Sequence, residues 1–121
     1  MDFEDILEEL VSGAPDAQAA TLMGMDGIPL ACFSAGGVDG DIESIGVEYG
    51  KILGEIVKAS EVLRLGGLVE VTLDLEDVVV LMRPVTPEYF LALLLKDTAM
   101  TGKARFVMRG SVIKAHRQIT E

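Results

Sequence analysis

Residues 46–51 read Gly-Val-Glu-Tyr-Gly-Lys, one residue short of the G-x-x-x-x-G-K-[ST] loop that cradles nucleotide phosphates. Phosphate chemistry there needs backbone N–H groups closing round the anion, a buried strand before the loop, and a hydroxyl reaching Mg²⁺. Ile52 stands at the hydroxyl position, and a glycine-rich stretch, residues 35–40, precedes the segment. The spacing therefore does not read as a nucleotide site. His116 and Cys32 are the single histidine and cysteine, so one chain cannot assemble the several His and Cys ligands of a usual zinc-type site. His116 falls in the last turn of a C-terminal helical pattern, where the helix dipole favours a cation. Cys32, between Ala31 and Phe33, reads as a small buried hydrophobe. Asp39-Gly40-Asp41-Ile42-Glu43 resembles the start of a calcium loop. Counted from Asp39, however, Ser44 and Gly50 occupy the positions that need Gly and Glu. A Ser-His-Asp triad would have to use His116 on a charged terminal helix. No catalytic, cofactor or metal site emerges, and a non-enzymatic role is the expectation.

The elements that would carry any site fit one domain over residues 1–121. Half of the residues are apolar, enough for a core, and the longest apolar runs, Val78–Met82 and Tyr89–Leu95, are too short to span a membrane. The acidic start, MDFEDILEELV, is unlike a signal peptide, and the lone cysteine fits a reducing compartment, so a cytoplasmic address is expected. The net charge of −10 argues against nucleic acid and anionic lipid as partners. That charge is uneven: residues 1–102 hold 19 acids against 5 Lys and Arg, whereas residues 103–121 hold one acid against 5. An acidic N-terminal helix packed near a basic C-terminal helix would account for the split.

Phe3, Ile6, Leu7 and Leu10 recur at helical spacing behind Asp2, a suitable cap, which predicts a helix over 3–12. Residues 18–24 and 28–34 flank Met25-Asp26-Gly27, and Asp-Gly between apolar runs predicts a hairpin with a type I′ turn. Pro29 suits a strand start or an edge. After the flexible loop 35–40, with Asp41 as N-cap, residues 42–65 form a long amphipathic helix. Strands follow at Leu68–Asp74, Val78–Pro84 and Tyr89–Lys96, then a helix over 101–118. The first of these strands alternates, leaving one wet or pairable face, while the other two are apolar throughout, as strands covered on both faces would be. The order α-β-β-α-β-β-β-α implies an α+β domain: a five-stranded antiparallel sheet with helices on both faces.

On a wheel of about 100° per residue, Ile42, Ile45, Tyr49, Ile52, Leu53, Ile56, Val57 and Leu63 span an arc about 140° wide. Gly46, Gly50 and Gly54 line one edge of it. Each interior glycine costs roughly 0.8–1 kcal/mol relative to alanine, so the stripe calls for a close backbone approach. Two readings are open: a tight fit on the domain's own sheet, or a helix meeting its symmetry mate in a dimer.

The element order, Met25-Asp26-Gly27-Ile28-Pro29-Leu30, the long middle helix, Tyr89-Phe90-Leu91-Ala92-Leu93 and Gly102-Lys103-Ala104-Arg105-Phe106 together resemble the roadblock dynein-light-chain family over essentially the whole chain. The resemblance implies a homodimer whose third strands pair into one sheet and whose middle helices lie side by side. The interface residues would be Ile45, Gly46, Gly50, Leu53, Gly54, Val57, Glu70 and Thr72. Bacterial members of the MglB type look like activators of Ras-like GTPases that supply no catalytic arginine and present their paired middle helices to the GTPase. Carried over, the partner-facing residues would be Glu48, Lys51, Glu55 and Lys58. MglB-type proteins generally continue past the last helix, whereas this sequence ends at Glu121. The expectations are therefore a regulator contacting a Ras-like GTPase or its roadblock-family activating protein, or an adaptor pairing with other roadblock proteins or a polarity factor. From another class, a small-ligand sensor is the third reading.

Overall fold

The computed structural model describes residues 1–36, 40–96 and 101–121. Gly37, Val38 and Asp39, expected in the flexible loop and at the start of the calcium-like string, lie outside that set. Helix α1 (Phe3–Gly13) begins with a reciprocal capping box, in which the Asp5 N–H donates to the Asp2 carboxylate and the Asp2 N–H to that of Asp5. Strands β1 (Ala17–Gly24) and β2 (Pro29–Ser34) form the expected hairpin. Its turn is not type I′: the Gly27 N–H donates to the Gly24 carbonyl at 2.9 Å, and positive φ is found at Gly27 but not at Asp26. The Asp26 carboxylate instead accepts from the Ile28 N–H at 3.0 Å, a local bond that holds the tip without a left-handed aspartate.

Helix α2 (Gly40–Val62) starts one residue before Asp41, which places that aspartate in the first turn rather than at the cap. It ends three residues earlier than the apolar pattern suggests. Arg64 adopts φ 55°, and its N–H and that of Leu65 bond to the carbonyls of Glu61 and Ser60. This double bond pattern closes the helix by a left-handed residue, here an arginine in a place glycine usually takes. Strand β3 (Val71–Asp74) is shorter than expected, and β4 (Val78–Pro84) and β5 (Tyr89–Lys96) lie where the pattern puts them. Continuing the β3–β4 register past Val71↔Met82 would set Val69 opposite Pro84, which has no N–H to donate. Helix α3 (Thr101–Thr120) closes the chain.

The sheet is antiparallel in the order β2-β1-β5-β4-β3, so β2 and β3 are edges and β5 is central. One face carries α1 and α3 over Leu22, Leu81, Leu91, Leu93 and Leu95. The other carries α2 over Met23, Val80, Met82, Phe90, Ala92 and Leu94. Alternate residues of β5 thus enter two different cores, which is why the strand has no polar face. The Lys114 ammonium pairs with the Glu9 carboxylate, joining the basic last helix to the acidic first one.

Candidate protein-interaction surface

The way α2 sits on the sheet decides which of its residues remain available. A β-carbon on Gly46 would stand 2.8 Å from Met23 Cε and 3.1 Å from Thr21 Cγ2, and one on Gly50 would stand 2.8 Å from Phe90 Cζ. Both glycines are therefore occupied by the chain's own β1 and β5. Leu53 is fully buried in the same core. Gly46, Gly50 and Leu53, expected at an intersubunit interface, make their close approach within the chain, to the domain's own sheet. Gly54, one turn on, has nothing of the described residues outside its own helix turns within 4 Å of its would-be β-carbon.

This seating rolls the helix toward its glycine edge. The fully covered positions, Ile42, Leu53, Gly46 and Gly50, cluster on one side of the apolar arc. The opposite side keeps Ile45, Tyr49 and Ile56 only half-buried and Ile52 46% exposed. Tyr49, Ile52 and Ile56 belong to the predicted arc, yet sequence reasoning did not assign them to a surface. The signal was present in the wheel: if the glycines face the sheet, the far edge of the arc must face away from it. Glu48, Lys51, Glu55 and Lys58 are all exposed, as anticipated. Lys51 and Glu48 pair at 3.7 Å with both side chains largely in water, an arrangement worth under about 1 kcal/mol.

Beyond α2 the chain stays apolar while leaving the core. Val62 is 80% and Leu65 75% exposed, with Leu63 and Val69 exposed between and after them. These residues lead directly into β3, an edge strand whose outer backbone has no ladder partner among the described residues. Next to them runs a groove of about 560 Å³ between the second half of α2 and the β4–β5 turn, lined by Gly54, Val57, Leu68, Pro84 and Val85. Contiguous exposed apolar surface beside an open strand edge is the usual physical mark of a protein contact.

Glu70 and Thr72, expected at the interface, are engaged inside the chain. The Glu70 carboxylate accepts from Arg105 Nε at 2.7 Å and from Arg83 Nε at 3.2 Å. Arg105 also donates to the Thr72 hydroxyl at 2.8 Å and to that of Thr101 at 3.1 Å. Burial pushes the Glu70 carboxyl up, but the hydrogen bonds and charges of Arg105 and Arg83 outweigh it and hold the group below its ordinary value. The cluster ties the flank of the edge strand to α3 and leaves the strand's outer backbone open.

Among the described residues no three His, Cys, Asp or Glu side chains come together as a metal site, and no helix is long and apolar enough to cross a membrane.

No protein-family model and no curated protein matches the sequence. Solved structures do. The crystal structure of MglC from Myxococcus xanthus is 34% identical over 98% of this chain and 99% of that one, with a TM-score of 0.70. A Roadblock/LC7 domain from Streptomyces avermitilis covers 100% of both chains with a TM-score of 0.87 at 17% identity. Myxococcus xanthus MglB covers 98% of this chain and 94% of its own with a TM-score of 0.86 at 10% identity. The last two likenesses carry the fold, while the first carries sequence as well.

Proposed function

The chain belongs to the roadblock dynein-light-chain family, and from that premise we propose that it is a non-enzymatic, homodimeric regulator or scaffold in a bacterial Ras-like small-GTPase switch. The observation that carries this reading is the apolar segment Val62–Val69 running from α2 into the unpaired β3 edge. A second copy aligning its own β3 would complete the ladder and cover that segment. The half-exposed edge of α2, centred on Ile52, would lie against the helix of the second copy. Glu48, Lys51, Glu55 and Lys58 would then face outward from the paired helices toward the GTPase.

The same edge also suits a non-identical roadblock chain, since ladder hydrogen bonds are made by backbone whatever the side chains. That is the adaptor reading. GTP turnover by the cognate small GTPase, measured as the protein is titrated in, separates the two. A change in rate or a stable complex on a sizing column supports contact with the GTPase. No change and no complex, together with co-elution with a second roadblock protein, supports the adaptor.

A further inference from the structure

The outward face of α3 lies on the opposite side of the sheet from α2 and has no role in the reading above. Its buried face is short and small: Ala104, Met108, Ser111 and Ala115 meet the sheet and α1. On the wheel the opposite side places Phe106, Ile113 and Arg117 within about 40° of one another, with Gly102 and Gly110 on the two borders. Phe106 is 74% exposed and Ile113 58%. The phenyl ring stands clear because its neighbours one turn before and after, Gly102 and Gly110, carry no side chain to wall it in. Outside the helix's own turns, neither glycine has an atom of the described residues within 4 Å of its would-be β-carbon, so no packing among those residues explains them. Gly110 sits in mid-helix, where it costs roughly 0.8–1 kcal/mol relative to alanine.

Charge says what would cover the seam. Of the five cations on α3, Arg105 is held by Glu70 and Lys114 by Glu9. Lys103, Arg109 and Arg117 make no ion pair among the described residues and flank the seam together with His116. They form a cationic strip on a chain whose first 102 residues carry a net −14. So acidic a body disfavours a nucleic-acid backbone or an anionic bilayer, each of which presents charge over an area far wider than one helix face. A single helix covers only this strip. Phe106 and Ile113 are seven residues apart, about 10.5 Å along the axis, the repeat at which two packed helices meet. Gly110 between them lets a second backbone approach closely.

We propose that the outward face of α3 is a docking surface for an acidic amphipathic helix of another protein. Its apolar residues seat around Phe106 and Ile113, and its carboxylates meet Lys103, Arg109 and Arg117. The acidic α1, on the Lys114 side, repels the partner's flank there and sets the side on which the helix lies.

Two labelled 21-residue helical peptides with the same leucine seam, one flanked by Glu and one by Lys, test this by fluorescence anisotropy against the full chain. The Glu peptide is expected to bind at least tenfold more tightly than the Lys peptide. Phe106→Ala or Ile113→Ala should each weaken binding at least tenfold with the circular dichroism and melting of the parent. The Arg109→Glu/Arg117→Glu double variant should invert the preference toward the Lys peptide. Equal binding of both peptides, no binding of either, or binding indifferent to Phe106→Ala and Ile113→Ala overturns the proposal. So does preferential binding to phosphatidylserine vesicles, or a Phe106-dependent rise in the protein's own mass by light scattering, which would assign the face to lipid or to a second copy.

Discussion

Gly50 of α2 lies directly over the Phe90 ring of β5, so that a β-carbon on the glycine would be 2.8 Å from Cζ and 2.9 Å from Cε1. A helix gains roughly 0.8–1 kcal/mol when an interior glycine becomes alanine. Here the added methyl meets a ring buried on all sides, and overpacking of this kind costs typically 1–3 kcal/mol. Gly50→Ala is therefore expected to lower stability by about 1 kcal/mol net in urea titration, whereas Gly54→Ala, with open space around it, should raise it by up to about 1 kcal/mol. Equal effects at the two positions would contradict the seating described.

Ile52 should matter to association and not to folding. As a half-exposed helix residue, Ile52→Glu is expected to change the melting of the isolated fold by no more than about 0.5 kcal/mol. If the apolar edge of α2 is covered by a partner subunit, the same change should weaken self-association by about 2 kcal/mol or more, close to thirtyfold. Analytical ultracentrifugation across a concentration series reads this directly. A parent protein that stays monomeric throughout, or a variant that dimerises unchanged, would remove α2 from the interface.

Glu70→Gln should cost roughly 1.5–3 kcal/mol, the range for hydrogen bonds to a charged group, because Arg83 and Arg105 both lose an anionic acceptor. The pH dependence has a definite sign. A carboxyl whose folded pKa is lowered stabilises the fold above its unfolded value, near 4.5, and loses that contribution as pH falls through the lowered folded value. The parent should therefore lose more stability than the Gln variant as pH falls below about 4.5. Parallel acid limbs in the two proteins would show that the carboxylate is not coupled to folding.

Arg64 closes α2 at φ 55° without being a glycine. A left-handed non-glycine residue costs roughly 1–2 kcal/mol of backbone strain, partly offset by the greater unfolded freedom of glycine. Arg64→Gly is expected to stabilise by about 0.5–1 kcal/mol in thermal or urea unfolding. A loss of stability would mean that the Arg64 side chain makes contacts that outweigh the strain.

The pattern-based reading was strongest where hydrophobic period and burial coincide. The continuous apolar runs of β4 and β5 named strands covered on both faces, and Asp2 named its helix start. It failed where a tertiary partner decides the outcome. The glycine edge of α2 announced a close approach, but one sequence cannot say whether the approaching surface belongs to the same chain; Met23 and Phe90 answer that only once β1 and β5 are seen beneath it. Val69 alternates like a strand residue, and the missing ladder bond at Pro84 stops β3 short of it. Glu70 and Thr72 alternated onto one face as predicted, yet Arg105, some 35 residues later, was beyond any local pattern.

The central place of β5 also has a temporal consequence. Ala20 and Leu93 are paired across roughly seventy residues of chain, and residues of β5 alternate into both cores. During synthesis the β1–β2 hairpin and α1 emerge first, with the inner edge of β1 open and apolar. Neither core can close until residues 89–96 have left the ribosome, so folding is a late event dominated by long-range pairing. For most of its birth, the nascent chain is an unprotected half-sheet.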